Sequence, residues 1–282
     1  MGNVCSACED GKKRSADGFS SEPEQIPQQV LDALKQLKDE DGKNKLQEII
    51  NASRKNVFAN KPAEKDPSAA EQSFTNGSYY QGQMIDKKKW GQGKYISKEG
   101  RVYEGQWLSD KCDGKGSLKD LESFYYGFWQ GGSKQGDGFE VWHADGTVYI
   151  GDHKSSMKNG FGVYIWKDGT RYVGQFANDV IEGEGVFYDT DGVYKGAFVD
   201  SLQQGSGTYS YNDGAVYTGD FHEGERHGQG KITWPDGSSY EGGWKEGHMH
   251  GDGTVVVRGK NKQKVTYENG SQLSAVPFNH SL

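Results

Sequence analysis

Aliphatic residues, cysteine and basic charge are all in short supply in this chain, and each shortage closes off a class of protein. Hydrophobic residues make up only 33% of the 282 residues, too few for a thick aliphatic core. No apolar run approaches the ~18 residues that a membrane-crossing helix needs, and the N-terminus carries no apolar core of signal-peptide length. The three cysteines, Cys5, Cys8 and Cys112, are an odd number without framework spacing, which excludes a disulfide scaffold and points to a reducing compartment. Net charge is −7, with no strongly basic stretch, so nucleic acid is not expected as a partner.

What is abundant is glycine, at 42 residues, and aromatics, at 35 (16 Tyr, 12 Phe and 7 Trp). They are not scattered. Tyrosines recur at Tyr80, Tyr103, Tyr125, Tyr149, Tyr172, Tyr194, Tyr217 and Tyr240, spaced 22 to 24 residues apart. Two residues after each stands Gly82, Gly105, Gly127, Gly151, Gly174, Gly196, Gly219 or Gly242, and each unit then carries a Gly-x-Gly pair, from 91/93 to 251/253. Eight in-phase copies mark a repeat architecture. Tyr240, Gly242 and Trp244, like Tyr103, Gly105 and Trp107, alternate as one face of a strand does. Each unit therefore reads as a β-hairpin with a polar turn, such as Lys245 to His250, and Asp-Gly pairs at 145–146, 168–169, 191–192, 213–214 and 236–237 suit the tight turns between units. Glycine weakens a strand unless something approaches closely, and rings laid over the bare glycines of the neighbouring strand supply that reason. One hairpin cannot bury its own face, so neighbours must stack. Sixteen strands at about 4.8 Å predict a ribbon of about 75 Å.

The segment Gly237-Ser-Ser-Tyr-Glu-Gly-Gly-Trp-Lys-Glu-Gly-His-Met-His-Gly-Asp-Gly253 resembles a MORN repeat (membrane occupation and recognition nexus), and 214–230 matches as well. Departures are Met84 and His153 at the usual aromatic position, Glu122 for the leading glycine of the third unit, and Asn159 before Gly160. The resemblance implies an all-β fold, an elongated single-layer antiparallel sheet of eight repeats over 77–257. It further implies a scaffold found at membranes, without catalytic chemistry or cofactor, and self-association through the C-terminal repeats. An open edge at Val255–Val257 gives that association a physical reason.

Before the repeats, residues 1–14 read as a membrane-anchoring tip. Gly2 and Ser6 fit the N-myristoylation pattern, and Cys5 and Cys8 are placed for palmitoylation, the second signal that stable anchoring requires. Lys12, Lys13 and Arg14 add attraction to anionic lipid. Residues 15–76 read as a linker holding two amphipathic helices, about 26–40 and 43–58. Their apolar stripes are Ile26, Val30, Leu34 and Leu37, then Leu46, Ile49, Ile50 and Val57. They are expected either to dock on the first repeats or to recruit a partner. Residues 258–282 read as a basic cap and tail.

Other candidate chemistry is thin. His227, His248 and His250 sit near one another in the pattern, but structural zinc takes four ligands and no cysteine lies nearby, so no metal is expected. Ten acidic residues between Asp179 and Glu225 read as a solvated face. The Gly-x-Gly pairs lack the strand–loop–helix setting of a nucleotide site. Lys87, Lys88 and Lys89, and Arg258, Lys260, Lys262 and Lys264, are candidate contacts for anionic lipid or an acidic partner. Tyr79, Tyr126 and Tyr188 alternate to the opposite face. The sequence thus points to a lipid-anchored, non-catalytic scaffold on the cytoplasmic face of a membrane, binding proteins and phospholipids. A trans-acting regulatory subunit of a membrane enzyme such as a lipid kinase, or a phospholipid sensor, is the alternative.

Overall fold

The computed structural model describes residues 68–277, and these form one antiparallel meander of 19 strands. A first strand, β1 (Ser68–Ser73), precedes eight hairpins. These are β2/β3 (Tyr79–Ile85, Lys88–Ile96), β4/β5 (Val102–Leu108, Lys111–Lys119), β6/β7 (Ser123–Gln130, Ser133–Trp142) and β8/β9 (Val148–Lys154, Met157–Ile165). They continue as β10/β11 (Arg171–Ala177, Val180–Tyr188), β12/β13 (Gly192–Val199, Leu202–Tyr211), β14/β15 (Val216–His222, Glu225–Thr233) and β16/β17 (Ser239–Lys245, His248–Val256). A ninth hairpin, β18/β19 (Gln263–Glu268, Ser271–Pro277), ends the sheet. Each strand pairs with its sequence neighbours, so the sheet is a single open layer with β1 and β19 as its edges. Three strands thus extend the sheet beyond the sixteen expected, and its width across the strands is about 85 Å. The expected open edge at Val255–Val257 is corrected: β17 is covered by β18, and the free edge lies at β19.

The hairpin turns are two residues long, with both φ angles positive, as at Ser155 and Ser156 (51° and 68°) or Glu246 and Gly247 (48° and 75°). That geometry matches the twist of the flanking strands. It is tighter than the six-residue turn expected at 245–250, because His248 and Met249 already belong to β17. At most links between units an Asp carboxylate caps the turn: Asp168 Oδ1 accepts the Thr170 N–H at 2.9 Å, and Asp236 Oδ1 the Ser238 N–H at 2.8 Å. Two links are shorter. Asp120 Oδ1 takes the N–H groups of Glu122 and Ser123, and Asp189 Oδ1 those of Asp191 and Gly192. This corrects the turn expected at 191–192, since Gly192 is the first residue of β12 and has no positive φ. It also explains why the tyrosine spacing drops to 22 at those two links.

The two glycines of Gly-x-Gly serve different ends. In the first unit the register of β2 and β3 breaks between Gly82 and Met84, and Gly91 takes the left-handed φ (60°) that this bulge requires. Gly93 instead lies under the ring of Tyr80. A Cβ there would sit 2.6 Å from ring carbon Cε2. The bulge frees the Gln83 carbonyl to accept the Tyr80 hydroxyl at 2.7 Å. All eight repeat tyrosines donate in this way to the carbonyl three residues on, and all are at most 3% exposed. Burial raises these phenols, Tyr194 to about 12, so they remain donors at neutral pH.

What joins one hairpin to the next is the ring four residues after each tyrosine from Tyr103 onward. Trp107 meets Tyr103 of its own unit edge-on at 4.9 Å, and Tyr80 of the preceding unit at 5.6 Å. The same step repeats through Trp129, His153, Phe176, Phe198, Phe221 and Trp244, and closes on Tyr267 of β18. Edge-to-face pairs contribute ~0.5–1.5 kcal/mol each beyond area burial. The core of this one-layer protein is therefore a zigzag of rings along one face. Rings rest on glycines within a hairpin, as expected, while ring-to-ring contacts carry the join between hairpins.

Candidate functional site

Beside the ring ladder, on the same face, runs a half-exposed aromatic groove. Its floor comes from the second strand of each hairpin, at the residue paired with the tyrosine and the residue two further on. In the central repeats these are Tyr164 and Trp166, Phe187, then Tyr209 and Tyr211. Trp142 lies 6.0 Å from Tyr164, Tyr164 lies 4.7 Å from Trp166, and Trp166 lies 5.7 Å from Phe187. The wall comes from the second residue after each hairpin turn, a position held by Lys158, Ile181, Gln203 and Arg226. Around Lys158, Trp166, Ile181, Phe187 and Gln203 the groove deepens to a cleft of about 440 Å³.

The polar groups in the groove are held in place. The Lys158 ammonium sits 5.5 Å over Trp142 and 2.9 Å from the Asp179 carboxylate. Burial works to raise that carboxyl, but hydrogen bonds from Lys158 and its charge outweigh it and hold the pKa below the ordinary value. Tyr209 donates to both Asp189 oxygens, at 2.7 and 2.8 Å, and burial together with that carboxylate pushes its phenol up. The Arg226 guanidinium lies 4.5 Å over Trp244. Cys112 occupies the equivalent wall position in the second repeat, and burial raises its thiol to about 11, so it is not a thiolate at neutral pH. Such a surface offers flat rings and fixed donors and acceptors.

The residues singled out in the sequence are distributed unevenly. The repeat tyrosines, glycines and tryptophans form the ladder. Lys87 and Lys88 are exposed at the first hairpin's tip and along β3. Lys89 turns inward, among Phe74, Tyr80, Tyr95 and Trp107, and contacts Asp110 at 3.4 Å. Arg258, Lys260 and Lys262 lie in the link after β17 and Lys264 in β18, so the two basic groups are at opposite corners of the sheet. His222 and His227 meet ring to ring at 5.5 Å, whereas His248 faces the Glu246 carbonyl and His250 the Asn269 N–H. The acidic residues from Asp179 to Glu225 do not form one face. Asp179, Asp200 and Glu223 sit at hairpin tips, Asp189 and Asp213 cap links on the opposite border, and Asp220 Oδ2 caps the Gln229 N–H in a bulge. Gly2, Cys5, Cys8 and the two amphipathic stretches lie outside the described residues. The groove itself was missed from sequence, although Trp142, Tyr164, Trp166, Phe187, Tyr209 and Tyr211 already stood at the strand's alternate positions.

The family model described as "MORN repeat" matches residues 80–100, 103–120, 149–171, 172–193, 194–216, 217–239 and 240–255, more than half of the chain. The chain belongs to the MORN-repeat family. The unmatched third unit is a MORN hairpin in geometry all the same, with Tyr125 donating to the Phe128 carbonyl at 3.1 Å and Gly127 paired with Gly138. Its leading glycine is replaced by Glu122 in the shortened link, as Asp191 replaces that of the matched unit 194–216. A solved structure similar to this chain is the SAS-4 (dCPAP) TCP domain in complex with a proline-rich motif of Ana2 (dSTIL) from Drosophila melanogaster. It shares 10% identity, with 64% of this chain and 94% of that chain covered and a TM-score of 0.34. No curated protein matches the chain. A MORN-repeat sheet of this kind is a repeat scaffold that works by binding.

Proposed function

We propose that the protein is a non-catalytic scaffold held on the cytoplasmic face of a membrane by acyl chains at Gly2 and at Cys5 or Cys8, with the aromatic groove taking a protein partner. One observation carries the binding half: half-exposed rings run side by side from Trp142 to Tyr211 with their polar neighbours already fixed, so a partner meets a preorganised surface. The N-terminal pattern of glycine, serine and paired cysteines supports the anchoring half. Lys87 and Lys88 at one corner, and Arg258, Lys260 and Lys262 at the other, supply secondary contacts to anionic lipid.

The two halves are separable by proximity labelling and fractionation of the full chain. Gly2→Ala is expected to move the protein from the membrane to the soluble fraction, because stable anchoring takes two acyl signals and the variant keeps one at most. Unchanged membrane association in that variant refutes the anchor. Trp166→Ala with Tyr211→Ala is expected to leave the membrane fraction unchanged and to remove labelled partners by at least tenfold, since aromatic hot spots carry ~2 kcal/mol or more each. An unaltered partner set overturns the groove as the binding surface.

A further inference from the structure

The back of the sheet, opposite the ring ladder, is polar at both ends and apolar in the middle. Glu104, Lys195, Thr218 and Glu241 point backward from the flanking repeats and are exposed. Across β6 to β10 the equivalent positions change character. Val148 and Ile150 flank Tyr149 and so face away from it, and they pair with Val141, Phe139, Val163 and Ile165 on the adjoining strands. These six side chains are 0–5% exposed. Tyr126 and Tyr188 pack at the margin, the latter under the Arg171 guanidinium at 3.8 Å. A single layer leaves its back to solvent, and among the described residues no strand lies over this patch. Burial that complete needs a cover.

We propose that residues 26–57 of the same chain lie across this patch in cis, with the apolar stripe of Ile26, Val30, Leu34 and Leu37, and of Leu46, Ile49 and Ile50, against Ile150 and Val163. Three observations select that occupant. It is the one stretch outside the described residues with apolar side chains at helical spacing over more than two turns. Its length fits: a 15-residue helix is about 22 Å long, and β6 to β10 span about 19 Å. It also reaches, because Val57 is joined to β1 by ten residues, 58–67, which extend to about 33 Å, while β6 is about 24 Å from β1. The segment thus clamps the repeats that lack the strongest consensus, including the third.

Photo-crosslinking from Leu34, replaced by benzoylphenylalanine in the full chain, tests this directly. Crosslinks within one chain to residues 139–165 are expected. Crosslinks between chains, to the groove around Trp166, or none at all, overturn the proposal. Methyl NMR gives a second reading that does not depend on crosslinking yield. Leu34→Glu with Leu37→Glu should shift the Ile150 and Ile165 methyl signals and leave Ile232, on the front face, in place. Unmoved Ile150 and Ile165 signals reject the contact.

Discussion

Tyr172→Ala is expected to cost about 3–5 kcal/mol, the loss associated with truncating a fully buried aromatic. The ring touches Phe176 at 5.3 Å in its own repeat and Phe198 at 5.0 Å in the next, and its hydroxyl reaches the Gln175 carbonyl at 3.1 Å. It also covers Gly185, where an added Cβ would collide with ring carbon Cε2. Removing it therefore cuts the ladder in the middle and uncovers bare backbone at once. Because repeats interact only with their neighbours, the damage should appear as loss of cooperativity. Urea unfolding followed by far-UV circular dichroism should change from one transition to two. Tyr172→Phe should cost only about 1–2 kcal/mol, the hydrogen bond and the orphaned carbonyl, and keep one transition. A loss below 1 kcal/mol for the alanine variant would show that the ring does not link the repeats.

His153→Phe should have the opposite sign and a strong pH dependence. The imidazole stands where Phe176, Phe198 and Phe221 stand in later repeats, is 3% exposed, and lies 5.1 Å from both Tyr125 and Tyr149. Neither ring nitrogen has a hydrogen-bond partner. Burial first, then the Lys134 ammonium and, less, that of Lys158, lower its pKa to about 4 against the opposing pull of Glu140 and the Gly151 backbone. In the unfolded chain the group takes up a proton near pH 6.5, whereas the folded one does not until about pH 4. The unfolded state thus binds more protons across that window, and stability falls as pH drops through it, by about 2 kcal/mol at pH 5 and about 3 kcal/mol below pH 4. The phenylalanine variant should gain about 1 kcal/mol at pH 7.5 by removing unsatisfied nitrogens. Its advantage over the natural chain should widen to about 3 kcal/mol at pH 5. Urea midpoints at the two pH values check this, and an advantage that stays constant with pH would place the proton elsewhere.

The sheet was legible because its period is written in residues that do one job each time. Tyr-x-Gly and the second glycine of Gly-x-Gly define a ring and the surface it rests on, and both could be read from spacing. The first glycine could not be assigned, because its left-handed φ follows from a bulge that appears only once the register is known. The extra strands escaped for a related reason. Ser68–Ser73 has no alternation to betray a strand, and β18/β19 lacks the Tyr-x-Gly signature, although Asn269-Gly270 is a strong two-residue hairpin turn and was the signal available. The groove and the back patch were hidden differently. Val163 lies in β9 and Trp166 just past its end, and sequence alone does not say that one faces the ladder and the other the opposite side until Tyr164 fixes the parity. Residues such as Asp120 and Asp189, which look like interruptions, are caps that shorten a link without disturbing the ladder on either side.

Ring-current shifts in the NMR spectrum of the full chain test most directly whether rings on bare glycine hold this sheet together. The α-protons of Gly93, Gly116, Gly138, Gly162, Gly185, Gly207, Gly230 and Gly253 lie beneath tyrosine rings and should resonate far upfield of ordinary strand glycines. The first glycines of each pair, such as Gly91 and Gly251, should not. Ordinary shifts for all sixteen would mean that the rings point elsewhere and that another force stacks the hairpins.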